Sequence, residues 1–351
     1  MQDWESRSNG PILVPTSGGF DSRLLNLAVK DRSRICSFTY GLSSDQSDSF
    51  EVVHAKKISE ILGTSWQQIP IGDFHHYFDE WDRLYGLSTH AHGMYHIEFY
   101  NNILCQHPNL HNASFLSGII GDAWAGSVEI PALRSSGDLS LIGYTHGLNA
   151  DSHMSNFTHS SHDIREAFFL SSFEGLQEPV GRIIASMRAK IMLLSYLLRV
   201  PESFGFVPWS PFLCIEVAMG MLNLPPDRRQ QRLWQRDLFR KNGLDIESMG
   251  LGSSKRNSLN HQAMLRVPIK PLDAGLLREV IRVEYIDWIN RNISGSSFSF
   301  FSSSKIFLLN VRKVGGVLRR LGVRDTKLQA YCAYLTLKPI ENAIRRRNAS
   351  V

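Results

Sequence analysis

The feature that most constrains this chain is a pair of glycines placed between a short apolar run and an amphipathic segment. The run "ILV" at residues 12–14 is apolar and rich in β-branched residues, which favours a buried strand. From Ser22 onward, "SRLLNLAVK" repeats its apolar residues at helical spacing. The segment "PTSGGFDSR" (15–23) therefore predicts a tight strand-to-helix junction near the start of an α/β fold.

The residues of this junction are those of an anion site. Because glycine lacks a Cβ, the backbone at Gly18 and Gly19 can turn tightly and present its N–H groups to a ligand. The start of a helix adds positive dipole character, and the hydroxyls of Ser17 and Ser22 are further donors. Asp21 would repel a phosphate on its own, so its presence indicates a Mg²⁺ ion between the carboxylate and the phosphates.

The pattern fits neither the GxxxxGK[ST] loop nor the GxGxxG fingerprint. It resembles the SGGxDS signature of the PP-loop ATP pyrophosphatases, which cleave ATP between its α and β phosphates. The resemblance implies an adenine nucleotide alpha hydrolase-like α/β fold, with a parallel sheet, flanking helices and a mainly helical C-terminal part. The structural alternative is a Gly-Gly turn with a Ser or Asp helix cap.

A second glycine-containing segment follows a later predicted strand. This segment, "FLSGIIGDAWAGS" (115–127), resembles a signature of the asparagine synthetases, whose synthetase domain is of the PP-loop type. The resemblance implies that Ser117 and Gly118 contact the nucleotide. It also implies that Asp122 joins Asp21 in holding Mg²⁺, so that two carboxylates hold a triphosphate from two sides.

A third segment, "VPWSPFLCIEVAMGMLNLPPDRR" (207–229), resembles the RVPFLD…LP stretch of the same family and is interpreted as a packing unit. Beyond it, "QRDLFRKNG" (235–243) resembles the family's KYxLR helix, which implies that Arg236 replaces a lysine that contacts pyrophosphate. Arginine keeps the charge and offers a fork to phosphate oxygens. Lys255 is a second candidate cation, although an ordinary surface charge is the preferred interpretation.

The chain departs from the family pattern in two places. Family members carry acids where this chain has Ile119 and Ala123, so groups that would act as a general base or orient the substrate are missing. Family members also begin with a glutaminase domain whose nucleophile is a cysteine after the initiator methionine, whereas Gln2 stands here. We therefore expect ammonia, an amine or a separate glutaminase to supply nitrogen.

The composition is that of an ordinary globular protein, with 351 residues, 43% hydrophobic and 20% charged, and a net charge of +5. The four cysteines form no CxxC pair, and the apolar stretch "IMLLSYLL" (191–198) is too short to span a bilayer. We therefore expect a cytoplasmic protein without a membrane span and without nucleic acid as its partner. His92 and His96 stand at the i, i+4 spacing of zinc ligands, but pocket or loop histidines are the preferred interpretation.

Three regions are predicted along the chain. Residues 1–130 are interpreted as the PP-loop nucleotide-binding core, 131–290 as the helical remainder of the synthetase domain, and 291–351 as a Ser-rich loop with a basic helical tail of unassigned role. Strands are predicted at 12–14, 35–41, 65–71 and 113–118, and helices at 48–63, 73–86 and 97–106, with a helical pattern beyond residue 160.

The function implied by the resemblance is asparagine synthetase-like, AMP-forming amide synthesis. ATP and Mg²⁺ would activate a carboxylate, aspartate by family default, as an acyl-adenylate to which nitrogen is then transferred. Two alternatives stay open. A PP-loop enzyme that modifies tRNA would suit the basic charge, and a degenerate, non-catalytic homologue acting as a partner protein would suit Ile119 and Ala123.

Overall fold

The architecture is built on a five-stranded, all-parallel sheet with the strand order β3-β2-β1-β4-β5. The computed structural model describes residues 1–142, 150–156, 161–293 and 325–350. The predicted class, an α/β fold with a parallel sheet, flanking helices and a helical C-terminal part, is confirmed. The strands are β1 Ile12–Pro15, β2 Ile35–Thr39, β3 Ser65–Gln68, β4 Ser114–Leu116 and β5 Val207–Trp209.

Helices follow the strands and then dominate the later part of the chain. The predicted helix at 73–86 is a 3₁₀ turn, Phe74–Tyr77, that runs into an α-helix. The α-helices are α1 Gln2–Arg7, α2 Phe20–Ala28, α3 Phe50–Leu62, α4 Phe78–Tyr85, α5 Tyr95–Gln106, α6 Gly121–Ala125, α7 Ser161–Gln177, α8 Pro179–Leu194, α9 Tyr196–Ser203, α10 Ile215–Leu222, α11 Pro226–Arg229, α12 Leu233–Lys241, α13 Leu259–Arg266, α14 Ala274–Leu277, α15 Val283–Ile293 and α16 Thr326–Ala349.

Strand β5 corrects the expectation of a purely helical pattern beyond residue 160. It pairs with β4 so that Phe115 lies opposite Pro208. Proline cannot donate a backbone hydrogen bond, and it is therefore tolerated at the edge of a sheet, which is where β5 lies. A three-residue strand that contains proline has too little periodicity to be recognised from sequence.

The chain divides into two compact units, each made of separate segments. The first contains the sheet and consists of Met1–Ile71, Phe99–Tyr144 and Asp163–Lys255. The second consists of Gly72–Glu98, Thr145–His162 and Arg256–Val351. The predicted boundaries at residues 130 and 290 stay predictions. Of the predicted region 291–351, residues 294–324 and 351 lie outside the described part of the chain.

The core of the first unit explains why the "ILV" run is a strand. Ile12, Leu13 and Val14 have no exposed surface, because a parallel sheet is covered by helices on both faces. Ile12 and Val14 belong to an apolar cluster that includes Trp124 of α6 and Phe212 ahead of α10. This cluster packs directly behind the loops that follow β1 and β4.

The second unit buries two histidines in their neutral form. The two ring nitrogens of His75 lie 2.8 Å from the Val267 carbonyl oxygen and 2.8 Å from the Tyr331 hydroxyl. Burial lowers the pKa of His75 to about 4 and that of His96 to about 3. No described helix combines the length and the hydropathy that a membrane crossing requires.

We expect the stability of the protein to fall as the pH drops from about 6.5 toward 4. An unfolded histidine has a pKa near 6.5 and takes up a proton in this range, whereas His75 and His96 stay neutral in the folded chain, at a cost of about 1.4 kcal/mol per pH unit for each histidine. Urea unfolding at several pH values checks this. His75→Gln should flatten the dependence and exposed His76→Gln should not; equal slopes for all three proteins would contradict the assignment.

Candidate functional site

The site predicted from the sequence lies where the strand order of the sheet reverses. From β1 the chain adds β2 and β3 on one side and β4 and β5 on the other, so β1 and β4 flank the switch point. In open α/β sheets, ligands bind outside the carboxyl ends of the strands at this point. The loop after β1, residues 16–22, is called the glycine loop below. The loop after β4, residues 117–122, is called the second loop.

The glycine loop is shaped by hydrogen bonds from its own serines and by close packing. The Gly19 N–H donates to Ser17 Oγ at 3.1 Å, and the Ser17 N–H donates to Ser22 Oγ at 3.1 Å. A Cβ on Gly18 would lie 2.6 Å from the Phe50 ring and 2.9 Å from His54 Cβ. Position 18 therefore accepts only glycine in this packing, and Gly19 forms the N-cap of α2.

A buried network of side-chain hydrogen bonds holds the glycine loop against β2 and α2. The Asn26 side-chain amide donates to Thr16 Oγ1 at 2.9 Å and to the Ser22 carbonyl at 2.8 Å. The Ser37 hydroxyl donates to Asn26 Oδ1 at 3.2 Å, and the Thr39 hydroxyl donates to the Thr16 carbonyl at 2.5 Å. Because these polar groups are buried and satisfied by one another, the network gives the loop one well-defined position.

Arg23 fixes the glycine loop from the side, a role that the sequence analysis did not predict. Its guanidinium is completely buried and donates to both carboxylate oxygens of Glu247 at 2.8 Å. It also donates to the Gly18 carbonyl at 3.0 Å. The Phe20 and Phe239 rings lie 5.0 and 4.9 Å from its central carbon. The arginine thus ties the loop to a segment more than two hundred residues later in the chain.

The second loop contacts the glycine loop directly. A Cβ on Gly118 would lie 3.3 Å from Asp21 Cβ, and Ser117 Oγ accepts a hydrogen bond from the Ile119 N–H at 3.3 Å. Ile120 has a φ of 55°, a left-handed conformation that is strained for a β-branched residue. Such strain persists only where the surrounding structure enforces it, and it is concentrated at functional sites.

Ile119 and Ala123, the positions where the family carries acids, belong to the apolar core. Their side chains are 2% and 1% exposed and lie in the same cluster as Trp124. Carboxylates at these positions would be buried without water, which is costly unless each one is paired. The two apolar residues therefore fit the packing of this chain.

Asp21 and Asp122 come together at the switch point, as the sequence predicts for two loops on adjacent strands. Burial, and then the charge of Asp122, raise the pKa of Asp21 to about 7, while the charge of Arg232 opposes this rise. Asp21 Oδ1 is buried and has no hydrogen-bond partner among the described residues. A buried, unsatisfied carboxylate oxygen beside a second carboxylate is an arrangement that a divalent cation stabilises.

The acidic pair fits Mg²⁺ better than zinc. Within the described part of the chain, no group of three or more His, Cys, Asp or Glu side chains is arranged to hold a metal. Mg²⁺ is commonly held by one or two carboxylates and completed by phosphate and water oxygens. Among the residues that the structure describes, His92 and His96 belong to no such group, so the zinc alternative receives no support from the geometry.

Two arginines lie against the ring of Phe20, the residue next to Asp21 in sequence, and Arg236 is the one predicted from the sequence. The central carbons of Arg232 and Arg236 lie 4.4 and 5.7 Å from the Phe20 ring centre, and Phe20 directly precedes Asp21. The Arg236 Nε donates to the Gln231 carbonyl at 3.1 Å, which orients this side chain. Arg232 was missed; its spacing of four residues before Arg236 was the available signal.

Lys255 is an exposed charge that lies over the Phe50 ring, next to the glycine loop. Its Nζ lies 5.0 Å from the centre of the Phe50 ring, the same ring that packs on Gly18. The neighbouring Ser254 carbonyl accepts a hydrogen bond from the Phe50 N–H at 2.8 Å, which holds this segment in place. The side chain is exposed and can therefore reach a ligand at the loop.

Comparison with known proteins assigns no family: no family model matches the chain, and no curated protein is significantly similar to it. The likeness to the asparagine synthetases therefore rests on the motifs and on their placement at the switch point.

We expect Glu247→Gln to lower the free energy of unfolding by about 1–3 kcal/mol, because it leaves the buried guanidinium of Arg23 without a full counter-charge. Glu60→Gln, which removes the acid of the exposed Lys57 pair, should change it by less than about 0.5 kcal/mol. Urea unfolding of both variants at neutral pH measures the difference. Equal values would contradict a structural role for the Arg23 pair.

Proposed function

We propose that this chain catalyses ATP-dependent, AMP-forming amide synthesis of the asparagine synthetase type on a PP-loop fold. The observation that carries the proposal is the meeting of Asp21 and Asp122 at the switch point of a parallel sheet, each on a loop that contains glycine. The two arginines beside Phe20 add the positive charge that phosphates require.

The glycine loop and the second loop divide the nucleotide between them in this proposal. The phosphates lie against Gly18, Gly19 and the start of α2, where backbone N–H groups are concentrated. Ser117 and Gly118 contact the nucleotide from the second loop, and Ser22 supports the glycine loop through its hydrogen bond to the Ser17 N–H.

In this proposal, the acidic pair, through its metal, and the two arginines compensate the negative charge of the phosphates. Mg²⁺ bound at Asp21 and Asp122 supplies neutralisation of the phosphate oxygens. Arg236 and Arg232 steady the departing pyrophosphate, each with a guanidinium fork that suits phosphate oxygens. Lys255 lies on the Phe50 side of the glycine loop and can contact a phosphate from there.

The proposed reaction has two steps. A substrate carboxylate oxygen attacks the α-phosphorus of ATP, the bond to the β-phosphate oxygen breaks, and pyrophosphate leaves an acyl-adenylate behind. A nitrogen nucleophile then attacks the acyl carbon, AMP leaves, and the nitrogen loses a proton. Catalysis is chiefly positioning and electrostatic stabilisation. The acid is aspartate by family default, and nitrogen comes from ammonia, an amine or a separate glutaminase.

The nitrogen source follows from the chemistry of the thiols. Burial raises the pKa of the Cys36 thiol and, for Cys332, raises it to about 12. Protonated thiols are poor nucleophiles, so these two cysteines are unsuited to hydrolysing glutamine. In the proposal, the nitrogen source is ammonia, an amine or a separate glutaminase, as the resemblance implies.

The product test is direct. With ATP, Mg²⁺, ammonium and a panel of carboxylic acids that includes aspartate, we expect AMP and pyrophosphate in equal amounts, measured by chromatography and a coupled pyrophosphate assay. Glutamine as the sole nitrogen source should give no glutamate. Release of ADP and orthophosphate would contradict the PP-loop chemistry. Salt-sensitive binding of tRNA with adenylation of the RNA would favour the tRNA-modifying alternative.

We expect Asp21→Asn and Asp122→Asn each to lower the adenylation rate by about 100-fold or more, and the double variant to lose little beyond either single one, because both residues act on one metal–nucleotide complex. Exposed Asp79→Asn, on α4 in the other unit, is the control and should keep full activity. Additive losses, or full activity of Asp21→Asn, would contradict a shared metal site.

Asp21→Asn should also be more stable than the unchanged protein at about pH 8. The folded chain raises the pKa of Asp21 to about 7 from 3.8, so ionising this carboxyl above that pH costs folding free energy, which the neutral amide avoids. Below about pH 4 the carboxyl is protonated in both states and the advantage should vanish. Urea unfolding at the two pH values measures this, and a variant less stable at about pH 8 would contradict it.

A further inference from the structure

Helix α8 carries a lysine at a position that faces the core. Ile183, Met187 and Lys190 follow the spacing of one helix face and are 2%, 4% and 5% exposed. A buried ammonium group is costly unless an anion compensates it. The pattern is visible in the sequence, because the third position of an apolar helix stripe holds a lysine.

Asp122 of the second loop is an acidic group whose charge acts on Lys190. Helix α8 packs against α6, and Asp122 lies in the first turn of α6. Burial lowers the pKa of Lys190, and the charge of Asp122 opposes this change. The charge of Lys190 interacts with Asp122, and the charge of Arg232 interacts with Asp21. Each carboxylate of the acidic pair therefore has a nearby cation, and the two cations come from different parts of the chain.

This pairing changes what the acidic pair can bind. Two carboxylates alone attract a free divalent ion, but two carboxylates flanked by two cations are already compensated, so an incoming ion is repelled by Lys190 and Arg232. A complex of the metal with a triphosphate carries a net negative charge, and the same two cations attract this complex. The charges of the site therefore favour the complex over the free ion.

We propose that Lys190 is a positioning and specificity residue that makes the acidic pair bind a metal–nucleotide complex in preference to the free metal ion. It acts as the counter-charge of Asp122, from the buried side of the second loop. The choice of a nucleoside triphosphate as the ligand that accompanies the metal rests on the proposed function, whereas the repulsion of the free ion depends only on the two carboxylates and on the cations Lys190 and Arg232.

The test measures Mn²⁺ binding by electron paramagnetic resonance, with and without a non-hydrolysable ATP analogue. The unchanged protein should bind free Mn²⁺ weakly, and the analogue should tighten binding about tenfold or more. Lys190→Met should bind free Mn²⁺ about fivefold to tenfold more tightly and lose most of the enhancement by the analogue. Lys190→Arg should behave like the unchanged protein, and so should Arg188→Met, which removes an exposed charge from the same helix.

Opposite changes in the two affinities are the decisive result, because a purely structural lysine would leave both unchanged or weaken both. Either of those outcomes in a folded Lys190→Met protein would overturn the proposal. If Lys190→Met does not fold, Lys190→Gln replaces it in the same measurement. The unchanged protein also tests the proposal without any variant, because equally tight binding of Mn²⁺ with and without the analogue would overturn it. If no analogue binds at all, the proposed function fails, and the free-ion affinity of Lys190→Met still decides the role of Lys190.

Discussion

The site depends on the tie between Arg23 and the glycine loop. A guanidinium with no exposed surface donates to the Gly18 carbonyl and to Glu247, and two aromatic rings enclose it. The arginine thereby fixes the loop that carries Asp21 against the segment around residue 247. The two Nη groups of this buried charge are satisfied, whereas its Nε has no hydrogen-bond partner among the described residues, so the pair specifies one arrangement of the loop more than it adds stability.

The acidic pair is the opposite case, because the fold leaves one of its carboxylate oxygens, Asp21 Oδ1, unsatisfied. Asp21 is half-buried beside Asp122, and its buried Oδ1 has no hydrogen-bond partner among the described residues. The strained backbone at Ile120 lies in the same second loop. A protein optimised for stability alone would remove both features, so they are best explained by a ligand that compensates them. Lys190 and Arg232 limit the repulsion until that ligand is bound.

Sequence reasoning recovered the elements whose signals are local. The apolar run at 12–14, the glycine pair and the helix that follows form β1, the glycine loop and α2 because strand, turn and helix preferences there agree. It missed β5, because a short edge strand containing Pro208 has almost no periodicity. It left Lys255 as a surface charge, since its nearness to Phe50 depends on the fold of a distant segment.

What the sequence by itself determined is the composition of the two loops: where the glycines and hydroxyls lie, which positions carry the carboxylates, and that both loops follow strands of a parallel sheet. Only the tertiary structure decided which cations oppose those carboxylates, and that positions 119 and 123 face the core. The physical reason is the distance along the chain over which each kind of interaction acts. Turn and helix preferences act over a few neighbouring residues, whereas the partners of Asp21 and Asp122 come from α8 and from the start of α12, which packing alone brings to the switch point.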